Sequence, residues 1–213
     1  MKTKRIHYLS GLFLAVFIGL HLFNHFMSIF GAETHLAVME SLRLIYRNIL
    51  VESLLLICVV IQIISGIKLI RKYKHVPVGF WDKLPIWTGF YLAAFLIIHV
   101  SAVFTGRLFL QLDTNFYFGA AGLNLFPYNL YFYPYYTLAI FSFFAHLACV
   151  HLKRMSFSVA GISPQKQAVG IIAFGFVLTL VIFYGQTNGF TGAYLPEKYA
   201  TYLDTLKNSV FPK

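Results

Sequence analysis

Two histidines stand at matching positions in two apolar stretches of this chain. Ser10 through His21 aligns without a gap on Thr88 through His99, and both read [ST]-G-x-x-L-A-x-F-x-x-x-H. An imidazole is costly inside a bilayer, so a pair repeated in register on two spans asks for a ligand between them. Two facing neutral imidazoles are the usual axial set of a low-spin b-type haem that transfers electrons. His21 and His99 are therefore the expected iron ligands. His25 follows His21 at i+4 on the same helical face and is the rival for that place, but it falls outside the repeat.

A helical residue rises about 1.5 Å, so depth can be counted from the basic ends of the spans. His21 and His99 then lie roughly 20 and 22 Å above the inner boundary, in the outer half of the membrane. His146 and Gln62 each sit about seven residues from a basic end, roughly 10 Å up. Two layers result, His21 with His99 outside and Gln62 with His146 inside. His7, His35, His75 and His151 fall near interfaces or in loops and read as ordinary polar groups. Gly11, Gly19, Gly66 and Gly89 are candidates for letting a porphyrin approach the backbone. Arg43, Arg47, His25 and Asn24 could meet the propionates of an outer haem, and Arg5, His7, Lys68 and His151 those of an inner one. Glu52 is the one carboxylate expected inside a span, and an intramembrane acid is a functional candidate by default. It either handles protons for a quinol or snorkels to the interface, paired with Arg47 or Arg43.

The elements that must hold these side chains are membrane helices. The 213 residues are 59% hydrophobic and only 11% charged, against about 25% charged in soluble domains. Five apolar runs near residues 8–30, 48–70, 84–106, 130–152 and 168–185 are each long enough to span a bilayer. The fold class expected is all-α, a polytopic membrane protein of five transmembrane helices with a four-helix haem-binding core, forming one domain over residues 1–213. The first run is too long for a cleavable signal peptide, holds histidines and lacks a small-x-small site after it. The net charge of +10 gathers before the first span and around the second and fourth loops. That placement is a topology signal rather than a nucleic-acid footprint: the N-terminus is expected inside and the C-terminus outside. Cys58 and Cys149 fall within spans and read as small hydrophobes. The second loop, residues 73–83, is expected as a cytoplasmic turn. The aromatic third loop, residues 108–136, is expected to anchor in the headgroup layer in preference to capping an outer cofactor. The tail with Tyr194, Tyr199, Tyr202 and Leu203 is expected on the outer surface, with no chemistry assigned.

The segment His7-Tyr8-Leu9-Ser10-Gly11 with His21-Leu22-Phe23-Asn24 resembles the first span of the cytochrome b membrane-anchor subunits of succinate dehydrogenases and fumarate reductases. The likeness is to their single-polypeptide, five-span type. Trp87-Thr88-Gly89 through His99-Val100 is similar to that family's third histidine-bearing span, Glu52 through Gly66 to its second, and Phe144-Ala145-His146 to its fourth. The resemblance covers about the first 155 residues and rests on order, spacing and topology together. It implies that His21 and His99 hold an outer haem b and that His146 is half of an inner pair. The inner partner it implies is Gln62, and glutamine is a poor haem ligand. One haem is thus expected, while the inner position stays open between no haem, another ligand, and a quinone pocket lined by Gln62 and His146. The resemblance further implies flavoprotein and iron–sulfur subunits on the cytoplasmic face, a membrane quinone, and residence in the cytoplasmic (inner) membrane. The chain would itself be a non-catalytic, electron-transferring subunit.

Two alternatives stand beside this. A cytochrome b subunit of a hydrogenase or formate dehydrogenase also uses intramembrane histidine pairs. A haem-free anchor or transporter belongs to a different class, although transporters usually break their helices at the midplane and these spans lack internal proline, save Pro134 near an end.

Overall fold

A computed structural model describes residues 2–73 and 79–210, so residues 74–78 of the turn expected at 73–83, His75 included, lie outside the described residues. The chain is all-helical, with no strand among the described residues. Its helices are α1 (Lys2–Phe26), α2 (Ala32–Tyr46), α3 (Ile49–Tyr73), α4 (Phe80–Phe104), α5 (Phe116–Asn124), α6 (Asn129–Arg154), α7 (Pro164–Gln186) and α8 (Glu197–Val210). Among the described residues five helices are long and apolar enough to cross a membrane: α1 with the 3₁₀ turn Met27–Phe30, α3, α4 with the π turn Thr105–Phe109, α6 and α7.

These helices outrun the apolar runs at their ends, for local reasons. Lys2, Lys4 and Arg5 are good helix formers whose charged heads can leave the apolar layer, so α1 starts six residues ahead of Tyr8. Asp82 accepts a hydrogen bond from the Gly79 N–H at 3.4 Å, which starts α4 at Phe80. Pro85 lies inside α4, contrary to the expectation that Pro134 is the one proline within a span, while Pro134 lies near the start of α6. The early start also places Asp82 in a spanning helix, so Glu52 is not the only carboxylate there. Both connections on the side opposite the N-terminus fold into helices. The first becomes α2, and the third, expected as an open aromatic loop, contains α5 and the start of α6.

Packing divides the bundle into two helix pairs, α1 against α3 and α4 against α6, with α7 against α6 and α1. Leu22, Ile140, Phe143, Phe144 and Ile182 form the core where α1, α6 and α7 meet. Apolar surface faces outward on the spans, at Val16, Leu20, Trp87, Phe90 and Ile97 for instance, as a lipid-facing belt requires. α7 approaches α6 through Gly175, where an added Cβ would come within 2.5–2.6 Å of Phe144. Gly175→Ala should therefore destabilise the α6–α7 contact by about 1–3 kcal/mol. Gly170→Ala, with open space around it, should be neutral or stabilising by up to about 1 kcal/mol. Thermal denaturation of the two variants in detergent checks this; equal melting temperatures would refute the packing assignment.

Candidate functional site

Between the α1–α3 and α4–α6 pairs lies a cavity of about 1150 Å³. Its volume passes the range of about 300–1,000 Å³ usual for a small-molecule site. Its walls are mainly apolar, from Leu14, Ile18 and Leu55 on one side to Leu92, Leu96 and Ile140 on the other. All five residues singled out from the sequence (His21, Glu52, Gln62, His99 and His146) line it.

At the outer end His21 and His99 face each other, ring centroids 6.1 Å apart and planes at 69°. The repeat explains how each ring is held. Its shared phenylalanine, four residues earlier on the same face, stacks on the histidine in both copies: Phe17 on His21 at 5.9 Å and Phe95 on His99 at 5.0 Å. His25 is in the same layer, with Nε2 3.2 Å from His21 Nε2 and Nδ1 3.1 Å from Gln186 Nε2. His35, expected as an interfacial group, is instead buried on the inward face of α2, 3.2 Å from Asn24 and with its ring 5.3 Å from His25.

At the inner end the [ST]-G head of the repeat has its own use. Ser10 gives its proton to the Ile6 carbonyl and accepts from Gln62 Nε2 at 2.8 Å. Thr88 gives its proton to the Leu84 carbonyl and lies 3.1 Å from His146 Nδ1. The glycine that follows leaves room in each copy. A Cβ on Gly11 would come within 3.0 Å of Gln62 Nε2, and one on Gly89 within 3.4 Å of His146 Cε1. Each [ST]-G is thus a seat for a polar side chain from the next spanning helix. Gly66 lies against the His7 ring, whereas Gly19 has nothing within 4 Å and does not line the cavity.

The inner pairing departs from the depth count in one respect. Gln62 turns towards α1, donating also to the His7 carbonyl at 2.5 Å, and the ring facing His146 is His7, 6.5 Å away between centroids. The sequence held a usable signal: His7 precedes His21 by 14 residues, within about 40° of the same helical face.

Charged groups close the ends. Arg43, Arg47 and His25 line the outer part of the cavity, whereas Asn24 is taken up by His35. Glu52 pairs with Arg107 and not with Arg47 or Arg43. The reason is Asp113, which receives Arg43 Nη2 at 2.7 Å and lies 3.6 Å from Arg47. Burial alone would raise the Asp113 carboxyl, but the Arg43 hydrogen bond and the charges of Arg43 and Arg47 outweigh it and hold it below its usual value. The same contacts hold the Arg43 guanidinium above its own against the opposing effect of burial. Of the inner propionate candidates, His7 lines the cavity while Arg5, Lys68 and His151 do not; His151 bonds Gln167 on α7 at 2.9 Å. Lys4 and Lys153 stand at that end instead.

The third loop roofs the cavity through Leu110, Asn115, Phe118 and Leu123, rather than only anchoring in headgroups. Tyr199, Tyr202 and Leu203 of α8 are buried against α5, with Tyr202 donating to the Phe118 carbonyl at 3.1 Å. Cys58 and Cys149 are free and buried.

Among the described residues no group of three or more His, Cys, Asp or Glu is gathered as a bare ion would need. A haem asks for less, since the macrocycle supplies the equatorial ligands and the protein only the axial ones. Two metal–imidazole bonds of about 2 Å each plus the ring radii would need a spacing close to the 6.1 Å between the His21 and His99 rings. Three buried polar atoms without a partner, Asn24 Oδ1, His35 Nδ1 and Gln186 Oε1, belong to side chains that contact His25 or one another beside that pair. The residues present fit the group. Comparison of the chain with protein families, with curated proteins and with solved structures finds no match.

The buried outer network gives a pH dependence. Burial, then the charges of His21 and Arg43, push His35 from 6.5 down to about 4. Unfolded chains take up this proton below 6.5 and the fold resists it until about 4, so the stability it contributes is whole above 6.5 and is lost as pH falls to 4. Melting temperature should therefore fall across that window, and His35→Gln should flatten the fall. An identical slope in the variant would show that His35 is not responsible.

Proposed function

We propose that this protein is a haem b-containing membrane anchor of a succinate:quinone oxidoreductase, relaying electrons between a cytoplasmic iron–sulfur subunit and a membrane quinone. The observation that carries the proposal is the facing of His21 and His99 across an apolar cavity, from helices built on the same twelve-residue pattern. His21 and His99 would hold the group, each ring oriented by its phenylalanine four residues earlier. The group, when bound, supplies a one-electron relay within the membrane. Arg43 and Arg47 line the outer mouth, where cationic donors suit propionate carboxylates. Glu52 lines the same cavity against Arg107. Protonation of its carboxylate would weaken that pair, which suits it to handle a proton when quinone chemistry adds or removes one.

The basic ends of the spans orient the chain. Lys2, Lys4 and Arg5 on α1, Arg71 and Lys72 on α3, Lys83 on α4 and Lys153 and Arg154 on α6 gather at one end of the spans, which by the positive-inside rule would be the cytoplasmic side of an inner membrane. A flavoprotein and an iron–sulfur subunit would dock there, and oxidation of succinate would belong to them.

A reduced-minus-oxidised visible spectrum of the complex purified from membranes tests this. The expected result is b-type absorbance, with the outer-haem signal lost in both His21→Ala and His99→Ala and kept in His25→Ala. An absence of b-type absorbance in the wild type would sink the proposal, and loss in His25→Ala with His21→Ala silent would sink the ligand assignment. Co-purification with a flavoprotein and an iron–sulfur protein separates this role from that of a hydrogenase-type cytochrome.

A further inference from the structure

The inner end of the cavity repeats the geometry of the outer one. His7 on α1 and His146 on α6 face each other with centroids 6.5 Å apart and planes at 67°. The outer pair stands at 6.1 Å and 69°. We propose that His7 and His146 are the axial ligands of a second, inner haem b, and that Gln62 positions α1 rather than binding iron. This rests on the haem-binding role proposed above.

Hydrogen bonding sets the form of both rings. Ser65 donates its hydroxyl proton to the Ile61 carbonyl at 2.5 Å, so towards His7 Nδ1, 2.8 Å away, it can only accept. Thr88 donates to the Leu84 carbonyl at 2.8 Å and, on the same grounds, accepts from His146 Nδ1 at 3.1 Å. Each Nδ1 thus carries the proton, and each Nε2 is left with a bare lone pair in a ring that lines the cavity. A metal takes neutral imidazole in this way, with the far nitrogen held by a hydrogen bond that fixes tautomer and orientation.

Gln62 is engaged elsewhere. Its amide group donates to the His7 carbonyl at 2.5 Å and to Ser10 Oγ at 2.8 Å. What remains is an amide oxygen, a much weaker ligand for haem iron than an imidazole. By holding the His7 carbonyl, Gln62 fixes the turn of α1 that presents the His7 ring. Glycines stand beside both rings, Gly66 at 3.5 Å from His7 Cε1 and Gly89 at 3.4 Å from His146 Cε1, measured from a built Cβ. Lys4 and Lys153 line this end and suit propionates. His7 and His21 are 14 residues apart on α1, about 21 Å along the axis, so two groups stack without overlap.

The experiment is haem stoichiometry by pyridine haemochromogen, with redox titration, on the complex purified from membranes. Two haems per chain are expected in the wild type, and one in His7→Ala and in His146→Ala. Retention of the His21–His99 haem in His7→Ala shows that the variant is folded. His7→Met should keep two haems and raise the potential of one, because thioether ligation favours the reduced iron. Two haems in His7→Ala would overturn the proposal, as would loss of one in Gln62→Ala but not in His7→Ala. A wild type with one haem that depends on His21 and His99 would overturn this inference alone. A wild type with none would overturn the function proposed above.

Discussion

An imidazole or amide facing an apolar cavity must find a hydrogen-bond partner within the protein, because no other source of one is at hand in the hydrocarbon layer. This chain meets the requirement with hydroxyls that have already given their proton to a carbonyl four residues back. Ser10, Ser65 and Thr88 all do so, to Ile6, Ile61 and Leu84. A hydroxyl committed in this way presents only lone pairs to its neighbour. It therefore selects a donor and, where the neighbour is a histidine, dictates which nitrogen keeps the proton. The bonds that satisfy the inner side chains are the same bonds that prepare them to bind something.

Much of the helix arrangement follows. A side chain from the next spanning helix can reach such a hydroxyl only where the helix carrying it has no Cβ in the way, which is the place of Gly11 and Gly89. Seating Gln62 draws α3 onto α1, and seating His146 draws α6 onto α4. The two pairs that result are the halves of the bundle, and the cavity is the space between them. The twelve-residue pattern is accordingly more than a histidine register. Its head seats the neighbouring helix, its phenylalanine stacks the ring, and its last residue faces the other half.

The spans and the His21–His99 pair were legible because both depend on local periodicity and on an ungapped repeat. His7 was not, because the apolar run begins only at Tyr8, whereas the helix begins at Lys2 and carries His7 inside. α2, α5 and α8 escaped for another reason. None of them holds an apolar run long enough to signal a span, and α5 is a nine-residue helix within an aromatic stretch. The partner of Glu52 could not be read either, since it follows from Asp113 engaging Arg43 across 70 residues of chain. Contacts of that range come from tertiary closure of the outer end rather than from any local pattern.

The two ends of the cavity differ in their fixed charge, and that difference bears on direction. Around the outer mouth Arg43, Arg47 and Arg107 are matched by Asp113, Glu40 and Glu52. The inner end is lined by Lys4 and Lys153 with Asp82 as the carboxylate. A site surrounded by surplus positive charge favours the state holding the extra electron. With a redox group in each layer, the fixed charges would tilt electrons towards the inner one, against the face where the basic helix ends gather.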